Sequence, residues 1–256
     1  MSPAAGRAPA AVSRRALRLA HRGDWRVAPE NTLGAMLAAL ANPNCDGLEF
    51  DVRGSRDGVP VLLHDGTLAR VQGIDVAVDA LSAAELARHG IPTLADVLGV
   101  AGPGPFLDVE LKGEPVPAVV GVLEAARGSA TAPGLARAVV SSFEPDTLAW
   151  LGGRRPAWAR WLNAVGLAPA TIALAVDLGC TGISADWHEI DARSAGRVRA
   201  AGLELGAWTV RRRPTVGRLE ALGLAAVCVE AAALDGQGSE GAARSAPGVR
   251  WASSPG

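Results

Sequence analysis

The chain has no tyrosine, three phenylalanines and a single lysine, Lys112. Its other basic residues are arginines, and alanine and glycine are abundant, a bias of a GC-rich coding sequence more than of a fold. Net charge is almost absent, at −1 for pH 7. That balance gives no hint of a surface for nucleic acid or an anionic membrane. The three cysteines, Cys45, Cys180 and Cys228, are spaced too widely for a disulfide framework or a zinc site. They read as small core hydrophobes in a reducing compartment, so a cytoplasmic location is expected. Long apolar runs are missing too. No stretch approaches the roughly 18 residues of a membrane span, so no stable membrane insertion is expected. Arg14, Arg15 and Arg18 are not followed by the apolar segment of a secretory signal.

What remains is an ordinary globular composition, 49% hydrophobic and 20% charged, in 256 residues, enough for one large core. Residues 1–14 and 236–256 are rich in Ala, Gly, Ser and Pro and are predicted to be disordered tails around a domain at 15–235. Within it, strand patterns alternate with helix patterns about eight times. Strands are predicted at 16–20, 47–52, 59–63, 106–111, 138–142, 157–162, 182–185, 203–210 and 225–229. Helices are predicted at 33–40, 81–87, 93–100, 117–127, 145–151, 169–178, 191–201 and 216–222. Asn31 or Thr32 would cap the first helix, and Ser82 with Glu85 would form a capping box. Such alternation implies a parallel sheet covered by helices, here a closed (β/α)8 TIM-type barrel. No Gly-x-Gly-x-x-Gly follows the first strand, which argues against an open dinucleotide-binding sheet.

The most informative stretch is Gly47-Leu48-Glu49-Phe50-Asp51-Val52. Period two puts Leu48, Phe50 and Val52 on one face and Glu49 and Asp51 on the other, two carboxylates about 7 Å apart. Pointing into a protein, they need a cation, basic partners or protons. Glu110 on the next predicted strand would converge on them. Three carboxylates without cysteine suit a hard cation, Mg²⁺, Ca²⁺ or Mn²⁺. The competing account pairs them with Arg22 and Arg53. Lys112 shares the face of Glu110, where it suits an anionic substrate oxygen or a simple ion pair. Arg22 could bind the same anion or lie solvated. His21 and His64, at predicted strand ends, could act as base and acid, or one could be a ligand or core histidine. His89 and His188 lie in less telling contexts and are expected to be non-catalytic. A cation, a cationic clamp and two imidazoles together suit phosphoryl or phosphodiester chemistry.

His21-Arg22-Gly23, Pro29-Glu30-Asn31-Thr32-Leu33, Glu49-Phe50-Asp51-Val52, Asp57-Gly58 and His64-Asp65 resemble the glycerophosphodiester phosphodiesterase family in order and spacing. Leu68, Arg70, Ile91-Pro92-Thr93-Leu94, Glu110-Leu111-Lys112, Ser141-Ser142-Phe143 and Trp208-Thr209-Val210 continue the resemblance to about residue 230. It implies a barrel with an insertion at 53 to about 92, after the second strand. It further implies that Glu49, Asp51 and Glu110 hold one divalent cation and that His21 and His64 are the acid–base pair. Arg22 and Lys112 would contact phosphate, Glu30 would lie on the polar rim, and Trp208 would wall the glycerol. The implied substrate is a small glycerophosphodiester, cleaved to glycerol 3-phosphate and an alcohol. Attack by the glycerol 2-hydroxyl would form a cyclic phosphate that then hydrolyses.

The later segments depart from the family pattern. Arg211 stands where Asn is usual, and Val229-Glu230-Ala231-Ala232 replaces the usual Thr-Asp-x-Pro. Two rivals follow: a phosphodiesterase acting on a bulkier lipid phosphate, and a non-catalytic barrel that binds phosphorylated metabolites. An exposed rim formed by Trp150, Trp158, Trp161 and Trp187 would favour the first. Loss of a carboxylate or histidine would favour the second, and none is lost.

Overall fold

Eight parallel strands close into a barrel in this computed structural model, which describes residues 15–235 except Ala130. The tails expected at 1–14 and 236–256 lie outside the described residues. In chain order the first elements are β1 Leu17–His21, α1 Leu33–Leu40, β2 Gly47–Gly54, β3 Pro60–Leu62, α2 Ala69–Gln72, α3 Ala83–Ala87 and α4 Leu94–Ala101. Then come β4 Phe106–Leu111, α5 Ala118–Arg127, β5 Ala138–Ser142, α6 Pro145–Arg154 and β6 Arg160–Ala164. The last are α7 Pro169–Asp177, β7 Gly182–Asp186, α8 Ala192–Ala200, β8 Glu204–Val210, α9 Arg213–Ala221 and β9 Ala226–Val229. The order β1-β9-β8-β7-β6-β5-β4-β2 is closed by direct β1–β2 pairing, while β3 folds back antiparallel on β2.

Strand alternation builds two cores. Outward residues such as Leu48, Phe50, Val52, Leu107, Val109 and Val140 pack against the helices in one large cluster with Met36 and Val97. Inward residues Leu19, Val139, Trp161, Ala226 and Cys228 plug the barrel. The Trp161 ring fills this plug because two neighbouring strands carry glycine beside it. A Cβ at Gly182 would lie 2.5 Å from Trp161 Nε1, and one at Gly206 would lie 2.7 Å from Cζ3. Gly182→Ala or Gly206→Ala is therefore expected to cost about 1–3 kcal/mol in denaturant unfolding. Gly121→Ala in α5, where a methyl meets nothing within 4 Å, should instead gain about 0.5–1 kcal/mol. Equal effects at the three positions would contradict this packing.

The insertion carries its own small core of Val61, Leu63, Leu68, Val78, Leu86 and Ile91. The Ser82–Glu85 capping box forms as expected, and Thr93 with Asp96 makes a second one. Thr32 caps α1, leaving Asn31 for another task. Several boundaries differ from the sequence reading, and two of the shifts have a plain local cause. The strand expected at 157–162 begins at Arg160, because the Trp158 N–H is used in a turn to the Arg155 carbonyl at 3.1 Å. The helix expected from 216 begins at Arg213, with Pro214 in its first turn, where a missing N–H costs nothing. Cys180 and Cys228 are buried, Cys45 is partly so, and all three are free thiols. No helix among the described residues is long and apolar enough to cross a membrane.

Candidate active site

The C-terminal strand ends of a parallel barrel collect the side chains its loops present. Register brings them level: His21 sits beside Glu49, Asp51 beside Glu110, and Glu110 beside Ser141. One carboxylate oxygen from each of Glu49, Asp51 and Glu110 lies within 4.8 Å of the others, and all three residues are buried. His21, Arg22, His64, Lys112 and Trp208 line the same cavity, about 170 Å³, with Phe143 and Asn163 on its wall. The sequence-predicted residues thus lie around one mouth. Glu30 stands behind it, joined to the site through Arg22.

The loop after β1 is shaped for this. Arg22 has φ +58° and Gly23 φ +85°, both left-handed. A Cβ on Gly23 would come within 2.6 Å of the Ala35 backbone, so only glycine fits. The turn lets the Arg22 N–H donate to the Glu49 carbonyl at 2.8 Å. It also swings the guanidinium over the carboxylates: Nε lies 2.9 Å from Asp51 Oδ2, and the Arg22 fork reaches Glu30 at 3.0 Å. Asn31, at φ +57°, donates to Asp51 Oδ2 at 2.8 Å. Lys112 Nζ lies 2.5 Å from Glu110 Oε1 and 3.3 Å from Asp51 Oδ1. Of the two arginines considered as carboxylate partners, Arg22 is one and Arg53 is not. Arg53 Nε donates to the His64 carbonyl at 2.9 Å.

These two cations do not neutralise the trio. Burial first, then the charges of Asp51 and Glu110, push the Glu49 carboxyl well above the usual range. Burial and then Asp51 raise Glu110 to about 7 against the pull of Lys112. Asp51 stays low, because Arg22, Lys112, His64 and Asn31 together outweigh its burial. Asp51 Oδ1 and Glu110 Oε1 are buried, with the Lys112 ammonium against both. A buried, charge-frustrated set of hard oxygen donors fits a divalent cation, which would supply the missing charge.

Each imidazole has its own carboxylate. His64 Nδ1 meets Asp65 Oδ1 at 2.6 Å, and Asp65 Oδ2 accepts from Arg70 Nε at 2.5 Å. Arg70 continues to Glu30 at 2.6 Å. Burial, ahead of the opposing Asp51 charge, lowers the His64 pKa, leaving the ring neutral near pH 7. His21 Nδ1 meets Glu230 Oε1 at 2.5 Å, and its Nε2 lies 3.8 Å from Glu49 Oε2. Glu230, at the end of β9, was singled out in the sequence only as a departure. Its place just past a strand end is the signal that marks it as a site residue. Asp108 is a fourth interior carboxyl, beneath Glu110, raised to about 6 by burial and bonded by Ser141 Oγ at 2.6 Å. His188 stacks on Trp187 and pairs with Asp186 outside this cavity, and His89 also lies outside it. Trp158 and Trp161 are buried, so they form no exposed rim.

Fold and site together define a (β/α)8 barrel whose mouth suits a hard cation and an anionic substrate. Comparison with known proteins narrows this. The model of the glycerophosphoryl diester phosphodiesterase family matches residues 21–234. The chain therefore belongs to that family. It is 31% identical over 216 residues to a probable glycerophosphodiester phosphodiesterase 2 of Mycobacterium tuberculosis, covering 75% of this chain and 78% of that protein. It is 50% identical over 52 residues to rat glycerophosphodiester phosphodiesterase 1, a match spanning 20% of this chain and only 15% of the rat protein. Among solved structures, it resembles an Oleispira antarctica phosphodiesterase in complex with the product sn-glycerol-3-phosphate. That likeness has a TM-score of 0.72 at 28% identity and covers 83% of this chain and 92% of the other.

Proposed function

We propose that this protein is a phosphoric diester hydrolase that cleaves small glycerophosphodiesters to glycerol 3-phosphate and an alcohol. The observation that carries this reading is one mouth lined by two imidazoles, two basic side chains, Glu49 and Glu110, with an oxygen of buried Asp51 within 4.8 Å of both carboxylates. Family membership and the likeness to a phosphodiesterase solved with sn-glycerol-3-phosphate support it.

Glu49, Asp51 and Glu110 would hold one divalent cation, Mg²⁺ or Ca²⁺ with Mn²⁺ also suited, which when bound supplies Lewis-acid polarisation and positive charge. Charge arithmetic favours this. The three carboxylates with Arg22 and Lys112 sum to −1, and a divalent ion makes the set +1, complementary to a phosphodiester monoanion. Arg22 and Lys112 then serve as the phosphate clamp, a planar fork and a point charge. One of His21 and His64 takes the proton of the glycerol 2-hydroxyl as that oxygen bonds to phosphorus. The other protonates the leaving alcohol oxygen as its P–O bond breaks. Water then opens the cyclic phosphate with the same pair in reversed roles. Trp208, in edge contact with Phe143 at 5.5 Å between centroids, offers an apolar wall for the glycerol carbons. Glu30 fixes Arg22 and Arg70 on the polar rim. A cytoplasmic, reducing location rests on the free thiols.

The bond cleaved tests the reading. Glycerophosphocholine incubated with the protein and Mg²⁺ or Ca²⁺ should yield glycerol 3-phosphate and choline in equal amounts. Phosphocholine and glycerol, or no turnover with any divalent ion, would refute it.

A further inference from the structure

We infer that Glu230, clamped by Arg211, is the positioning residue for His21, so that each imidazole of the mouth is set by a carboxylate–arginine pair of its own. This rests on the proton-transfer role proposed above for His21. The two units share one pattern. In each, Nδ1 faces one carboxylate oxygen, at 2.5 Å for His21–Glu230 and 2.6 Å for His64–Asp65. In each, the other oxygen accepts from an arginine Nε, at 2.8 Å from Arg211 and 2.5 Å from Arg70.

A carboxylate at Nδ1 holds the proton there and leaves Nε2 facing the cavity, where it can take a proton or, once protonated, deliver one. For His21 that nitrogen is directed to the Glu49 side of the mouth. Glu230 can fix a ring because its own backbone is fixed. Its N–H donates to the Val210 carbonyl at 2.9 Å, tying the ends of β8 and β9 together. Ala231 turns away at once with φ +50°. The Glu230 side chain is 8% exposed, and its two carboxylate oxygens are taken by His21 and Arg211. Arg211 is 69% exposed, and an ion pair that open to water adds little stability. Its fork therefore serves aim more than folding.

The test reads ring nitrogens as well as rates. In ¹⁵N-labelled, metal-stripped protein at a pH where the imidazoles are neutral, His21 should carry its proton on Nδ1 with a pyridine-type Nε2. In Glu230→Ala the His21 signals should move toward the Nε2–H form, with those of His64 unchanged. In the same variant kcat on glycerophosphocholine should fall by roughly 10–100-fold, with KM within about twofold. Glu230→Gln, which keeps an acceptor for Nδ1–H, should recover most of that loss. An Nε2–H tautomer in the unmodified protein, or an undiminished kcat in Glu230→Ala, would overturn the inference. If Glu230→Ala does not fold, the spectrum of the unmodified protein decides alone. Failure of the unmodified protein to turn over any glycerophosphodiester would instead sink the functional reading, and the tautomer would still decide whether Glu230 positions the ring.

Discussion

His21→Ala and His64→Ala are each expected to lower kcat on glycerophosphocholine by roughly 10²–10⁴-fold, the range for loss of a positioned acid or base. Both rings stand at the cavity rather than in a core: the His21 side chain is 15% exposed and that of His64 is 34%. Their removal should leave the unfolding midpoint nearly unchanged. Substrate binding should change less than kcat, because both variants keep Arg22 and Lys112, the proposed phosphate clamp. Steady-state kinetics with thermal unfolding on the same samples checks this. A near-wild-type rate in either variant would remove that histidine from the chemistry.

Glu49→Gln is expected to act in opposite directions on stability and activity. Without a cation, Glu49 is a buried carboxyl beside two others, so removing its charge should raise the unfolding midpoint. With a cation, the variant should lose most of the metal-induced stabilisation, and activity should fall by roughly 10²–10⁴-fold. The pH dependence follows from the same frustration. Glu110 is raised from 4.5 to about 7 in the fold, so it favours folding fully below about 4.5, and this contribution is lost as pH rises through about 7. At roughly 1.36 kcal/mol per pKa unit, that loss is about 3 kcal/mol. Glu49 and Asp108, also raised, add in the same direction, while His64, lowered, opposes them. Metal-stripped protein should therefore lose stability between pH 5 and 8, and saturating divalent cation should flatten the decline. A decline of equal slope in both forms would contradict this electrostatic picture.

Much of this was legible because a parallel barrel writes itself in period two. Leu48, Phe50 and Val52 alternate with Glu49 and Asp51, so one short stretch announced both the packed face and the acidic interior. The trio was legible for the same reason, since Glu110 has the same alternation one strand later. Boundaries failed where a local bond overrode the pattern, as when the Trp158 N–H turned back to Arg155 and delayed β6. Ion-pair partners were harder. Arg22 and Arg53 looked equivalent in sequence, yet a left-handed turn at Arg22 sends it to Asp51, while Arg53 is spent on the His64 carbonyl. The Glu230–His21 contact joins the first and last strands, which are neighbours only once the barrel closes. No local pattern could carry it, and it surfaced in the sequence only as an atypical residue after β9.

Glu49, Asp51 and Glu110 can tolerate one another if they share a divalent ion opposite two imidazoles, and everything proposed for the chemistry depends on that ion. Calorimetric titration of Mg²⁺, Ca²⁺ and Mn²⁺ into metal-stripped protein probes it head-on, with glycerol 3-phosphate release followed on the same samples. One equivalent should bind, activity should return in step with occupancy, and binding should be lost in Glu110→Gln. Full turnover after chelation, or undiminished binding in that variant, would show that the carboxylates are held together by something else.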